Sequence, residues 1–187
     1  EVPFVALSVQ HDGCSSSGQR RGPECNAAIN RYCAARSCSA TGFGPISTGD
    51  FEATVVCLAP EVVNVQSTTY TTMRQRHPNC DGNERIGPNC NAAISRHCNE
   101  IGLTTGFGPL EHSGDGLQIA CVPSARVIET SYTALSQHNP ACTRNTERIG
   151  ANCDDAIHRM CVASGHTTGF GPLENINDVA VIACVGP

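Results

Sequence analysis

Apolar and polar positions along the chain trace one pattern three times. Each pass opens on a run where β-branched and aromatic residues alternate with polar ones: PFVALSVQ, VVNVQSTTYTTM and RVIETSYTAL. A period near two predicts a strand. Phe4, Tyr70 and Tyr132 hold the same place in the three runs. A helical stretch follows. Cys25, Ala28, Ile29, Tyr32 and Cys33 share one side at helical spacing, and the stripe recurs around Ile94 and Ile157. Pro23 and Pro88 mark the helix start, where a missing N–H costs nothing. Gly102 and Gly165 stand where a left-handed C-terminal cap belongs. A TGFGP turn and an apolar closing strand, such as ATVVCLA or LQIACV, complete each pass. The expectation is an α+β fold of three tandem disulfide-bonded repeats, residues 1–60, 61–124 and 125–187. Each would be a short helix packed on antiparallel strands.

The 13 cysteines fit this division. Twelve form matched sets: Cys14, Cys25, Cys33 and Cys57; Cys80, Cys90, Cys98 and Cys121; Cys142, Cys153, Cys161 and Cys184. A unit of some sixty residues buries too little apolar surface to be comfortable alone. Two disulfides per repeat, each contributing about 2–4 kcal/mol, would offset that deficit. Four cysteines allow three pairings. If the helix runs up and the closing strand runs back, the strand cysteine ends near the helix start. That favours Cys25–Cys57 with Cys14–Cys33, and likewise in the other repeats. Pairing of neighbours, Cys14–Cys25 and Cys33–Cys57, is the alternative. The remaining thiol, Cys38, lies where the first repeat is one residue longer. In an oxidising compartment it points to an interchain disulfide and a homodimer, a buried or capped thiol being the other reading. Packing of the repeats about a pseudo-threefold axis or in a line stays open.

Composition then narrows the function. Cysteine richness indicates a secreted, extracellular protein, because reducing compartments keep such thiols free. The start at Glu1 reads as a mature, processed chain, and no apolar run is long enough to insert into a membrane. A net charge of −5 argues against nucleic acid as partner. Nucleophile, zinc-protease, phosphate-loop and dinucleotide motifs are absent, so an enzyme is not expected. Cys-x-x-Cys knuckles and calcium-loop acid clusters are also missing, so no metal or other cofactor is expected.

The informative polar residues are those kept in all three repeats. His11, His77 and His138 precede the first cysteine of each set; Arg20, Arg85 and Arg148 lie in the loop before the helix; Arg31, Arg96 and Arg159 lie on the helix. Arg offers a planar fork for a carboxylate, and His and Arg donors suit sugar hydroxyls. The helix arginines have a structural reading as well, as partners of Asp50, Asp115 or Asp178. In TGFGP the glycines permit a turn and Phe43, Phe107 and Phe170 plug the core; alternatively Thr41, Thr105 and Thr168 offer hydroxyls to a ligand. With few aromatic residues available, the core reading is favoured. Glu111 and Glu174 follow the motif in the second and third repeats, where the first has Ser47. If these acids touch ligand, the first site should differ.

Three tandem repeats of four cysteines, with an H-x-x-C element and a C-x7-C helix followed by TGFGP, resemble the egg and gonad lectins of sea hares. The likeness spans the whole chain. It implies binding of glycans containing galactose or galacturonic acid, agglutination and a disulfide-linked dimer; with His and loop Arg as the donors, that binding is expected to need no metal. Two rivals stand beside it: a tandem-repeat protease inhibitor using loops such as CDGNERIGPNC, and a structural protein of an egg coat or matrix.

Overall fold

The computed structural model describes residues 1–81, 85–145 and 148–186. Repeat 1 contains β1 (Val2–Pro3), α1 (Phe4–Gln10), α2 (Pro23–Ala34), β2 (Thr41–Thr48) and β3 (Glu52–Leu58). Repeat 2 contains β4 (Asn64–Thr69), α3 (Tyr70–Arg76), α4 (Pro88–Glu100), β5 (Thr105–Ser113) and β6 (Gly116–Val122). Repeat 3 contains β7 (Ala125–Ser131), α5 (Tyr132–His138), α6 (Ala151–Ala163), β8 (Thr168–Ile176) and β9 (Val179–Val185). The α+β expectation holds. Each repeat has a three-stranded antiparallel sheet whose closing strand is central, in the orders β1-β3-β2, β4-β6-β5 and β7-β9-β8.

The opening runs differ from expectation in their second half. They leave the sheet at Phe4, Tyr70 and Tyr132 and become short helices. Local chemistry explains the switch. The Thr69 hydroxyl accepts the Thr72 N–H and the Ser131 hydroxyl accepts the Ala134 N–H, which caps α3 and α5. Phe4 with Leu7, Tyr70 with Met73, and Tyr132 with Leu135 then place buried side chains one turn apart on the inner face. The longer helices start at Pro23 and Pro88 as expected, and Gly102 and Gly165 follow α4 and α6 at φ +86° and +88°.

The disulfides join neighbours: Cys14–Cys25, Cys33–Cys57, Cys80–Cys90, Cys98–Cys121, Cys142–Cys153 and Cys161–Cys184. The preferred Cys25–Cys57 and Cys14–Cys33 pairing is therefore wrong. The end of each long helix, not its start, lies over the central strand, while the first cysteine stays with the loop before the helix. One glycine records this closeness. A Cβ on Gly106 would lie 2.3 Å from Cys98 Sγ, and Gly42 and Gly169 are equally close to Cys33 and Cys161.

Each repeat has its own core between helices and sheet. A fourth core is shared. Phe107, Leu110, Phe170 and Leu173 meet Leu58, Val63, Val122 and Val185 there, with Phe43 packed alongside. The rings of Phe43, Phe107 and Phe170 lie 4.9–5.6 Å apart, centroid to centroid, with tilted and edge-on faces. This bears out the core role of the three phenylalanines, but TGFGP is not a turn: it opens β2, β5 and β8, and the ladder register shifts just after each phenylalanine. Around the trio, α2 packs on β5 of repeat 2, α4 on β8 of repeat 3, and α6 on β2 of repeat 1. The repeats thus form a closed pseudo-threefold ring rather than a line.

Candidate functional site

The triplicated histidines turn out to shape the chain. His11 Nδ1 accepts the Gly13 N–H at 3.2 Å, and His77 Nδ1 accepts the Asn79 N–H at 3.4 Å. In repeat 3 the same bond, Ala141 N–H to Oδ1 at 3.1 Å, is made by Asn139. His138 sits one residue earlier, as the last residue of α5. It is not the equivalent of His11 and His77, because Asn139 holds their place three residues before the first cysteine and His138 lies one position earlier.

The helix arginines stitch the ring together. Arg31 donates from Nε and Nη2 to the two carboxylate oxygens of Glu111, at 3.0 and 2.9 Å, and from Nη1 to the Gln10 carbonyl. Asn30 adds a bond to Glu111 Oε1. The Arg31 hydrogen bond holds the Glu111 carboxyl below the ordinary carboxylate range. Arg96 pairs likewise with Glu174, but with Nε and Nη2 both on Oε1, at 2.9 and 2.7 Å, and its Nη1 donates to the Arg76 carbonyl. At the third junction Ser47 replaces the acid and bonds Thr54, so Arg159 turns to Asp155 in its own helix, 2.9 Å away. Ion-pair partners for these arginines were expected, but not these ones. Asp115 and Asp178 instead accept the Tyr70 and Tyr132 N–H groups through their carbonyls, and Asp50 lies 4.0 Å from the loop residue Arg20.

The threonines of TGFGP are also committed to structure. Thr41, Thr105 and Thr168 are fully buried and bond Asn30, Ser95 and His158 at 2.7–3.0 Å.

The loop arginines are partly spent on their own loops. Arg20 Nε donates to the Ser16 carbonyl and Arg148 Nε to the Arg144 carbonyl; Arg20 also reaches the Gly49 carbonyl. Arg85 differs. Its Nη1 donates to Nδ1 of His112 at 3.3 Å, beside an open concavity of about 290 Å³ on the repeat 2 sheet. Ser67, Thr68, Glu111, His112 and Gln118 line that concavity. Since Glu111 also holds Arg31, donors from two repeats meet at its edge. His112 carries no repeat signal: Thr48 and Asn175 stand at its place in the other sheets, so comparison of the repeats passes it over. The loop proposed as an inhibitory segment runs through residues 82–84, which lie outside the described residues.

Cys38 is an exposed free thiol just beyond α2. Among the described residues, no group of three or more His, Cys, Asp or Glu side chains could hold a metal ion, and no helix is long and apolar enough to cross a membrane. Comparison with family models, curated proteins and solved structures finds no match to the chain.

Proposed function

We propose that the protein is a secreted, multivalent carbohydrate-binding protein that takes galactose- or galacturonate-type sugars without metal. The observation that carries this reading is the repeat 2 concavity. It is shallow and open, and hydroxyl, carboxylate, amide and imidazole groups line it beside Arg85. Such a set exchanges donors and acceptors with ring hydroxyls, and an arginine fork adds affinity for a uronate carboxylate. Arg31, Arg96 and Glu174 fit better as the frame that holds the junctions than as direct sugar contacts, whereas Glu111 serves both the first junction and the concavity.

One shallow site binds weakly, so function rests on avidity. Pairing two chains through the exposed Cys38 would multiply sites on one rigid particle and raise avidity by about 10²–10⁴. The test is agglutination of erythrocytes together with a glycan array, each with and without EDTA. Sugar-inhibitable agglutination that survives EDTA is expected. Cys38→Ser should run as monomer on a non-reducing gel and lose agglutination while keeping monovalent sugar binding. Arg85→Ala should weaken sugar binding while thermal unfolding stays cooperative. No glycan binding at any density would refute the reading.

A further inference from the structure

The central strand of repeat 1 lacks most of the neighbour that its counterparts have. In repeat 2, β4 pairs with β6 from Asn64↔Cys121 to Thr69↔Gly116, and in repeat 3, β7 pairs with β9 from Ala125↔Val185 to Ser131↔Val179. In repeat 1, β1 meets β3 only through Val2↔Ala53 and Pro3↔Glu52. The ladder to the hairpin partner puts Val55, Val56, Cys57 and Leu58 where repeat 2 has Ile119, Ala120, Cys121 and Val122. Ile119, Ala120 and Cys121 are fully buried, as are Ile182 and Ala183, whereas Val55, Val56 and Cys57 are each half-buried. What sets this edge apart from the outer edges of β4 and β7 is that a central strand is uncovered.

The backbone shows what the edge offers. Successive residues of a strand aim their N–H and C=O groups to opposite sides. The Glu52 and Leu58 carbonyls accept from Gly49 and Ala40 on the β2 side, and the Phe51 carbonyl accepts the Phe4 N–H on the β1 side. By alternation Val55 and Cys57 aim theirs away from β2, where neither has a ladder partner among the described residues. Natural edges are commonly blunted with charges or proline. The stretch from Thr54 to Leu58 carries neither. On the inner side, Val55 and Cys57 form part of the half-buried fringe of the repeat 1 core; in repeat 3 the matching fringe includes Ile128, which lies opposite Ile182.

We propose that the β3 edge of repeat 1 docks an extended segment of a partner protein, which adds as an antiparallel strand. The chemistry of the occupant is displayed twice in the same molecule, because β4 and β7 sit on the equivalent edge. Opposite the counterparts of Cys57, Val56 and Val55, β4 places Asn64, Val65 and Gln66, and β7 places Arg126, Val127 and Ile128. The partner segment is therefore a polar residue, then valine, then isoleucine or another residue with an apolar stem. Backbone bonds to Val55 and Cys57 supply affinity, and the alternating side chains fix the register.

The test uses the full chain, labelled with ¹⁵N, and an acetylated, amidated peptide with the sequence of residues 123–128, PSARVI. An NMR titration should show saturable binding at one site per chain. At saturation, amide exchange at Val55 and Cys57 should slow by about tenfold, while Val56, whose N–H faces β2, should not change. Arg126 and Ile128 face β9 within β7, by alternation from the Tyr132 N–H bond to the Asp178 carbonyl. The same peptide N-methylated at its arginine and isoleucine keeps every side chain but loses the N–H groups that meet the edge, and it should not bind. Val55→Pro withdraws one edge donor and spares the ladder to β2, so it should lose binding while thermal unfolding stays cooperative. Should that variant not fold, the N-methylated peptide tests the same bonds in the unmodified protein. Equal binding of the two peptides, no saturable binding, or protection confined to other residues would overturn the assignment. So would protection of Val55 and Cys57 before peptide is added: if it rises with protein concentration the edge belongs to a second copy, and if it does not the chain covers the edge itself.

Discussion

Asn139 in the third repeat makes the turn bond that His11 and His77 make in the first two. A neutral imidazole nitrogen and an amide oxygen are both compact acceptors, so either can close the turn after the short helix. The same economy shows at Thr41, Thr105 and Thr168, whose hydroxyls find Asn30, Ser95 and His158 at one helix position. His97 is less settled. Burial, and then the neighbouring Arg76 charge, hold its imidazole below the usual pKa, and its Nδ1 is buried without a partner among the described residues. A lowered pKa means the unfolded chain takes the proton first. The stability tied to His97 is therefore complete above the ordinary value of 6.5 and is lost as pH falls through the folded value. Tyr32 and Met160 occupy this place in the other repeats. His97→Met should flatten the loss of unfolding free energy between about pH 7.5 and pH 5, the range where an ordinary imidazole charges. Denaturant titrations across that range check it. At this scale the repeats made candidates legible but not their roles. Triplication picks out any residue the fold needs three times, whether for a turn, a junction or a ligand.

The elements were legible where periodicity was long. The long helices, the hairpins and the two C-terminal glycines stand where the spacing puts them. The short helices were missed because seven residues give barely two turns of signal, and the strand before them sets a period of two. Thr69 and Ser131, followed by apolar residues one turn apart, were the readable clue. The disulfide pairing was missed because the spacing of cysteines does not say which end of a helix lies on a sheet. Between elements, the ring has one uneven junction. Arg31 and Arg96 each reach a glutamate on the next repeat, whereas Arg159 faces Ser47. Exposed pairs contribute little singly, so the consequence is modest. Ser47→Glu should stabilise the chain by about 0.5 kcal/mol, and the gain should vanish in an Arg159→Ala background. A double-mutant cycle by chemical denaturation measures both.

Across the whole molecule, the shared core couples the repeats. Phe107 is buried against Phe43 and Phe170, one ring from each repeat. Phe107→Ala should cost about 3–5 kcal/mol, and unfolding should stay a single transition for all three repeats. Calorimetry decides this, since a linear array with independent units would unfold in steps. The way the repeats pack could not be read beforehand, because an apolar strand face looks the same whether it meets a neighbour in a row or two neighbours at an axis. Once seen, closure has a consequence for valency. Each long helix docks on the following hairpin and the last docks on the first, so no docking face is left over for a fourth copy. An open solenoid can gain binding units by duplicating a repeat; a ring complete at three cannot, and grows in reach only by being joined, whole, to another ring.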